Sequence, residues 1–334
     1  MVVVTRVDTT EVAEAMRGAI RADGLRPKLV GFLANEDPAA RKYAEWTGRA
    51  ASKDGIDYEI RELDPVALEA ALDDANADPN VHGILIYYPV FGAAPSFFGG
   101  SMDDQLRDRV AVEKDVEGLC HTYRSNLYRN IRFMDRARTK KAIVPCTPLA
   151  VIKCLEHVGV HAKDSSKMLG KVVSVINRSE VVGRPLAAML ANDGATVYSI
   201  DVDSIYLMVR GKMSPTNLTP DAAIRSSDVV VLGVPSKNYK LPASLLKPNA
   251  VVVNVSTFKN LDDESAVVDY TYVPLVGRVT VACLERSLLT LYKQYHARRT
   301  VFFNRNNCTI IAAAAASALL LCVVALEKKL AAAP

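Results

Sequence analysis

Short apolar runs alternate with amphipathic stretches through the first half of the chain. The apolar runs predict strands at 28–34, 57–63 and 81–90. The amphipathic stretches predict helices at 11–24, 38–55 and 65–78. The opening MVVVT indicates a short strand or an extended lead-in. Because strands and helices take turns, the pattern predicts a parallel sheet covered by helices on both faces.

A second α/β series follows a loop-rich segment at 91–147. A helix at 147–159 leads into this series, and an amphipathic helix at 279–295 closes it. Its apolar runs predict strands at 171–176, 196–201, 228–233 and 250–255. The connection at 203–226 is long, so we expect an insertion lying on the surface. At 334 residues the chain has room for two such α/β domains.

A polar turn between two of these strands is the most informative local feature. The turn and the helix that it opens contain Asn177, Arg178, Ser179, Gly183, Arg184 and Pro185. The next strand runs into Asp201. Such a βαβ unit aims backbone N–H groups at a phosphate, and the acid accepts hydrogen bonds from a ribose diol. Only one glycine of the usual three is present, so the local pattern leaves a purely structural, helix-capping turn equally open.

Ligands of open α/β sheets bind beyond the carboxyl ends of the strands. In the second half those ends also contain Val202, Gly233, Val234, Pro235, Val255, Ser256 and Thr257. In the first half they contain Asn35 and the segment Tyr87–Pro89. We therefore expect a cleft between two strand-end clusters, one of which binds a substrate and the other a cofactor.

Composition narrows the class of protein. Half of the residues are apolar and 23% are charged, which is typical of a globular protein. The net charge of +4 is too small and too dispersed to indicate nucleic acid binding. Six scattered cysteines without CxxC pairs argue against a metal site and favour a reducing, cytoplasmic location.

The uncharged tract Cys308–Leu326 is long enough to span a membrane. Much of it is alanine, which contributes little to insertion, so a tail anchor is not favoured. A helix packed on a partner and an extension without a structural role remain the alternatives.

Several motifs in order place the chain in a known family. They are DPAARKYAEWT, GILIYYPV, EKDVEGL, PCTPLA, INRSEVVGRPLAAMLANDGATVYSID and VPLVGRVTVACL. Over about residues 28–295 the chain resembles the methylenetetrahydrofolate dehydrogenase/cyclohydrolase family, and most closely its monofunctional, NAD-dependent fungal branch. The resemblance implies a homodimer of two α/β domains around a cleft.

The implied boundaries follow the α/β series. Residues 1–148 would bind the tetrahydrofolate substrate, and 149–278 would form a Rossmann-type domain that binds NAD. A helix at 279–298 would pack back on the first domain, and 299–334 would be an apolar extension.

Departures from the family pattern concern the cyclohydrolase step. Bifunctional members have a lysine four residues after the tyrosine that matches Tyr43, and here Thr47 takes that position. One helical turn separates the two residues, so we expect both to face the cleft. Tyr87 replaces a family glutamine. Because threonine cannot move protons at physiological pH, we expect hydride transfer without cyclohydrolase activity.

Further roles follow from the resemblance. Tyr43 would stack on the aminobenzoate ring, unless it is a core aromatic. Either Asp115 or Glu117 would hydrogen-bond the pterin, with Glu117 favoured, unless the acid only caps a turn. The other residues implied in substrate binding are Tyr87, Pro89, Pro274, Gly277 and Thr280.

Asp201 is the residue expected to select the cofactor. Its carboxylate would repel the extra phosphate of NADP and accept the free ribose hydroxyl of NAD. Arg178 and Arg184 are able to offset that repulsion, and an exposed strand-end acid is the plainer explanation of Asp201. Two functional alternatives remain: a bifunctional NADP-dependent enzyme and a non-catalytic folate- or nucleotide-binding protein.

Overall fold

The computed structural model describes residues 2–297. The first half of the chain forms a small parallel sheet. The elements of this half are β1 (Val4–Arg6), α1 (Thr9–Ala22), β2 (Lys28–Leu33), α2 (Pro38–Lys53), β3 (Asp57–Glu62), α3 (Leu68–Ala77), β4 (Gly83–Ile86), α4 (Met102–Arg109) and α5 (His121–Tyr128). The sheet has the order β3-β2-β4. Helix α2 starts where it does because the Asp37 carboxylate accepts a hydrogen bond from the Ala39 N–H (2.8 Å) and Pro38 needs no partner.

The second half builds a larger sheet. Its elements are α6 (Cys146–His157), β5 (Val172–Ile176), α7 (Gly183–Asn192), β6 (Thr196–Ile200), β7 (Ile205–Val209), β8 (Lys212–Pro215), α8 (Pro220–Ser226), β9 (Val229–Leu232), β10 (Leu241–Pro242), β11 (Ala250–Asn254), β12 (Leu261–Asp262), β13 (Tyr270–Val273) and α9 (Gly277–Leu291). The strand order is β1-β13-β11-β9-β5-β6-β7-β8, parallel from β1 to β6. The short strands β10 and β12 pair separately.

The chain reverses its direction of travel across this sheet at β5. From β5 it proceeds to β6 on one side, and later returns to β9 on the other side. The crevice at such a switch point is where open α/β sheets bind their ligands. The polar turn that follows β5 lies at this point.

Two elements join the halves. Helix α9 packs against α1 and α6 and is extended by a π-helical turn at Tyr292–His296. Strand β1 lies in the larger sheet, where it pairs with β13. Buried apolar side chains form one continuous cluster from β2 through α6 and α9 to β5. The cleft between the halves therefore has a continuous packed base.

The predicted α/β fold class is confirmed, with local differences. The fourth strand ends at Ile86 rather than at residue 90, and a cis Tyr88–Pro89 peptide follows it. Segment 91–147 contains helices α4 and α5, which the sequence pattern did not predict. The 203–226 insertion is a β-hairpin, β7 and β8, that extends the sheet antiparallel before α8. The predicted end of the last helix near residue 298 and the 308–326 tract lie outside the described residues.

Candidate active site

A cavity of about 330 Å³ lies between the two halves. It brings together six of the residues predicted from sequence: Tyr43, Tyr87, Glu117, Val255, Gly277 and Thr280. The first three come from α2 and the loops that follow β4 and α4, and the others come from the loop after β11 and the start of α9. Residues to which the sequence analysis gave no individual role complete the wall, among them Asp37, Tyr88, Cys146, Thr147, Val181 and Leu284.

Tyrosine rings form one wall of the cavity. The Tyr43 ring meets the Tyr87 ring edge-on, with centroids 5.8 Å apart. The Tyr87 hydroxyl lies 2.8 Å from the Tyr58 hydroxyl, beneath the wall. Gly31 makes this packing possible, because a Cβ there would lie 2.8 Å from the Tyr58 hydroxyl. Burial raises the pKa of Tyr43 and Tyr87, so both hydroxyls stay protonated at neutral pH.

Thr47 does not face the cavity as the sequence analysis expected. Its side chain is fully buried, and its hydroxyl donates to the Tyr43 carbonyl oxygen (2.9 Å). One helical turn keeps Thr47 on the side of α2 that carries Tyr43, but Thr47 is buried against Tyr87 and so lies behind the cavity wall. At this position its side chain supports the tyrosine wall.

Glu117 and Asp115 have separate tasks. The buried Asp115 carboxylate accepts hydrogen bonds from the N–H groups of Glu117 (3.1 Å), Gly118 (2.9 Å) and Cys120 (2.8 Å). Asp115 therefore holds the loop and does not line the cavity, so of the two acids considered for the pterin Asp115 is already engaged by backbone groups. Glu117 does line the cavity. Desolvation, followed by the charge of Asp115, raises the pKa of Glu117 to about 8, while Arg107 opposes the rise.

Two cavity residues, Tyr88 and Cys146, lie in the motifs GILIYYPV and PCTPLA, but the sequence alone gave them no role. Tyr88 follows Tyr87, its hydroxyl is buried, and the Arg107 guanidinium lies 4.7 Å from its ring centroid. Cys146 begins α6, and its thiol contacts the Val116 carbonyl oxygen (3.3 Å). Burial raises the pKa of both side chains well above their usual values, so both are neutral.

The turn after β5 requires its glycine. A Cβ on Gly183 would lie 1.9 Å from the Asn177 carbonyl oxygen, so helix α7 approaches the strand end as closely as backbone allows. The Ser179 hydroxyl accepts hydrogen bonds from the N–H groups of Val182 and Gly183 (both 3.3 Å) and so caps the start of the helix. Asn177, at φ 92°, donates to the Gly233 carbonyl oxygen (2.7 Å) across the switch point. The turn is shaped for the close backbone approach that a pyrophosphate needs.

Asp201 is exposed at the tip of β6 and forms no ion pair within residues 2–297. The two arginines that the sequence analysis considered able to offset its charge are otherwise engaged. Arg178 donates to the carbonyl oxygens of Ser199 and Ser204 (both 2.8 Å) and lies 4.6 Å from the Tyr206 ring centroid. Arg184 pairs with Glu180. The carboxylate at the strand tip therefore keeps its negative field.

Two buried asparagines connect the loops that follow β9 and β11, and sequence analysis missed them. Asn254 donates to the carbonyl oxygens of Ser256 (2.8 Å) and Phe258 (3.0 Å). The Asn260 side chain accepts from the Val234 N–H (3.0 Å). For Asn254, the sequence signal was a side-chain amide at the end of the apolar run AVVVN. A polar side chain that is buried at the end of a strand needs hydrogen-bond partners in the neighbouring loops.

The remaining predicted residues do not line this cavity. Pro89 is exposed, Val202 is 95% exposed, and the Pro274 carbonyl oxygen accepts a hydrogen bond from Asn254 (3.4 Å). Pro185 is buried in the first turn of α7. Pro235 and Thr257 lie in the strand-end loops that the asparagines connect. Among residues 2–297 there is no group of side chains able to hold a metal, and no helix long and apolar enough to cross a membrane.

Fold and site together define a two-lobed α/β protein whose second lobe is of the Rossmann dinucleotide-binding type. Residues 5–117 match the family model of the tetrahydrofolate dehydrogenase/cyclohydrolase catalytic domain. Residues 145–296 match the model of the NAD(P)-binding domain of the same family. The chain therefore belongs to the tetrahydrofolate dehydrogenase/cyclohydrolase family, and the resemblance found in its sequence is confirmed.

Two curated relatives and one solved structure are highly similar to the chain. A methylenetetrahydrofolate dehydrogenase [NAD(+)] of Schizosaccharomyces pombe is 44% identical over 303 residues, which is 87% of this chain and 92% of the relative. The protein of the same name from Dictyostelium discoideum is 45% identical over 301 residues, 86% of this chain and 94% of the relative. The NAD-dependent 5,10-methylenetetrahydrofolate dehydrogenase structure from Saccharomyces cerevisiae matches with a TM-score of 0.79 and 41% identity, covering 86% of this chain and 97% of that one.

Proposed function

We propose that this protein oxidises 5,10-methylenetetrahydrofolate to 5,10-methenyltetrahydrofolate with NAD, and that it lacks cyclohydrolase activity. The observation that carries the proposal is the shared cavity, in which Tyr43 and Glu117 of the first half meet Val181 and Val255 of the nucleotide-binding half. The names of the similar fungal and amoebal proteins support the same reaction.

The residues of the chain bind and orient, and the reaction asks for no base. Glu117 accepts hydrogen bonds from the pterin, and Tyr43 stacks on the aminobenzoate ring. Bound NAD supplies a nicotinamide ring that accepts hydride. The nitrogen lone pairs of the folate ring expel the hydride as the methenyl cation forms, so positioning supplies most of the rate.

The protonation states around the cavity support the loss of cyclohydrolase activity. Water would have to be activated for that step, and Tyr43, Tyr87, Tyr88 and Cys146 all have raised pKa values that keep them neutral. The buried Thr47 occupies the position of the family lysine, and its hydroxyl donates a hydrogen bond to the Tyr43 carbonyl oxygen. Glu117 alone titrates near neutrality among these groups, and it is used to hold the pterin.

The NAD preference is supported by the unpaired Asp201. The close backbone turn at Gly183 fits a pyrophosphate, and the exposed carboxylate fits a free ribose diol. Because Arg178 and Arg184 are held by other groups, a 2′-phosphate would meet negative charge without compensation.

The proposal includes the wider organisation. Residues 1–148 bind the folate and 149–278 bind NAD, and the protein is a cytoplasmic homodimer that associates through the second half. Membrane contact through the C-terminal tract is not favoured. Light scattering would measure the dimer, and detergent partition of the full chain against one ending at residue 298 would detect an anchor.

The test is to supply the purified protein with methylenetetrahydrofolate and either NAD or NADP. We expect NADH and methenyltetrahydrofolate with NAD, a much slower reaction with NADP, and methenyl decay at the rate measured without protein. Absence of turnover with both cofactors would refute the dehydrogenase, and accelerated decay would refute the missing cyclohydrolase activity.

A further inference from the structure

The loops that follow β9, β11 and β13 meet at one edge of the larger sheet, and Asn254 lies where they meet. Strand β11 runs between β9 and β13 and ends at Asn254. Asn254 is in register with Leu232 of β9, and Val253 is in register with Val273 of β13. Because the Asn254 side chain is only 2% exposed, its polar atoms need partners within the protein, and the loops on both sides are within reach.

The amide nitrogen of Asn254 connects the loop after β11 with the loop after β13. It donates to the carbonyl oxygens of Ser256 (2.8 Å) and Phe258 (3.0 Å), and at longer range to that of Pro274 (3.4 Å). A side-chain amide has two hydrogens, so the longest of the three contacts shares one of them. One side chain thus fixes the path of the loop after β11 relative to Pro274.

The amide oxygen of Asn254 extends this network toward the loop after β9. It accepts a hydrogen bond from the Asn260 N–H (3.1 Å). The Asn260 side chain accepts from the Val234 N–H (3.0 Å), and the Val234 carbonyl oxygen accepts from the Ser256 hydroxyl (2.9 Å). The three strand-end loops therefore form one hydrogen-bonded unit, with Asn254 at its centre.

Two of these loops supply residues that line the active-site cavity. Val255, which follows Asn254 directly, lines the cavity from the nucleotide-binding half. Val276 and Gly277 line it where the chain leaves Pro274 and enters α9. Asn254 itself does not line the cavity, so it reaches a bound ligand only through the residues that it holds.

We propose that Asn254 is a positioning residue for hydride transfer, because its amide sets the spacing between Val255 and the segment Val276–Gly277. The inference rests on the proposed dehydrogenase activity. The methylene carbon of the folate must come within about 3.5 Å of C4 of the nicotinamide before the hydride can move. A misplacement of about 1 Å slows such a step by on the order of a hundredfold, although both ligands still bind.

Single-turnover kinetics on two variants test the proposal, with the protein in excess over methylenetetrahydrofolate and NAD at saturation. The amplitude of NADH formation measures the fraction of competent protein, and the rate constant measures the hydride step within that fraction. Asn254→Ala removes both donors and the acceptor, so we expect the rate constant to fall by roughly tenfold or more. Asn254→Ser keeps one donor, so it should lose less, and it carries the comparison if the alanine variant does not fold.

Binding is measured separately, by equilibrium titration of each variant with NAD and with tetrahydrofolate. We expect both dissociation constants to stay within about threefold of the parent values, because every residue that lines the cavity is unchanged. An effect confined to the dissociation constants, with the rate constant of the parent, would overturn the assignment to hydride transfer.

The matched control is Asn76→Ala, since Asn76 also joins two backbone groups. Its amide donates to the Arg109 carbonyl oxygen (2.9 Å) and accepts from the Ala111 N–H (2.9 Å), and it does not line the cavity. We expect the control to keep the rate constant of the parent even where its amplitude falls. A lower amplitude with an unchanged rate constant in the Asn254 variants, or an equal loss of rate in the control, would leave Asn254 a merely structural role. Absence of NADH formation by the parent protein refutes the proposed function instead.

Discussion

The protonation of Glu117 should control how substrate affinity depends on pH. In the proposed complex the pterin would donate hydrogen bonds to this carboxylate and so would bind the ionised form, whereas the raised pKa of about 8 keeps the Glu117 carboxyl of most free protein molecules protonated at neutral pH. At pH 7 only about a tenth of the molecules carry the charged form, and the apparent dissociation constant is raised by the inverse of that fraction. We therefore expect kcat/KM to rise about tenfold between pH 7 and pH 9 and to level off above pH 9.

Initial rates of NADH formation at low and at saturating folate give the profile. The variant Glu117→Gln removes the titration, so its kcat/KM should be low and flat across the same range. The variant Glu113→Gln is the control, because Glu113 is exposed on the same segment and does not line the cavity. Parallel pH profiles for the parent and Glu117→Gln would show that another group titrates and that the pterin does not bind this carboxylate.

Three further perturbations test other parts of the structure. Asp201→Ser should weaken the binding of NAD and relax the rejection of NADP. Because one charge contact is removed, the ratio of kcat/KM for NAD to kcat/KM for NADP should fall about tenfold. Gly183→Ala should destabilise the fold by ~3 kcal/mol or more in urea unfolding, because its Cβ would lie 1.9 Å from the Asn177 carbonyl oxygen. Gly18→Ala, at an exposed position of α1 where the new Cβ would have no atom within 4 Å, should be neutral or stabilising. Glu285→Gln should flatten the dependence of melting temperature on pH between 5 and 9.

The sign of the Glu285 effect follows from its environment. Burial raises the pKa of this carboxyl to about 8 and Arg17 opposes the rise, so the folded protein retains a proton that the unfolded chain releases near pH 4.5. The folded protein is therefore most stable at low pH, and its stability falls as the pH rises from about 4.5 toward 8, by on the order of 5 kcal/mol. A melting curve that shifts equally in both proteins would contradict this linkage. For Asp201→Ser, unaltered cofactor selectivity is the refuting result, and for Gly183→Ala it is unchanged stability.

The spacing of apolar and polar residues along the chain predicted those helices and strands whose formation depends on interactions between residues close in sequence. The alternation of apolar runs and amphipathic stretches predicted parallel strands with helices between them, and helix α2 begins at Pro38, where the pattern placed it. Helices α4 and α5 were missed because their short sequences, MDDQLRDR and HTYRSNLY, have little apolar periodicity. A capping box between Ser101 and Asp104 was the signal available for α4.

The sequence predicted which strand ends form the site, but it did not predict which side chains of those segments face the cavity. Asp115 and Glu117 stand two residues apart in one motif, yet one carboxylate is consumed by three backbone N–H groups and the other reaches the cavity. Thr47 shares a side of α2 with Tyr43, yet it lies buried behind Tyr87 because tertiary packing decides how far the cavity reaches along the helix. Residue spacing does not encode that packing.

The position of β1 has a consequence for how the protein is made. Its partner strand β13 lies 266 residues later in the chain, because Val4 pairs with Tyr270. Beside this pair, the Val3 N–H donates a hydrogen bond to the Asp269 carboxylate. During translation the small sheet has all of its strands once Ile86 has left the ribosome, whereas the leading segment stays without its neighbour until almost the whole globular part has emerged. The pairing of β1 with β13 is therefore among the last folding events during synthesis, and it takes place only when both lobes have been synthesised.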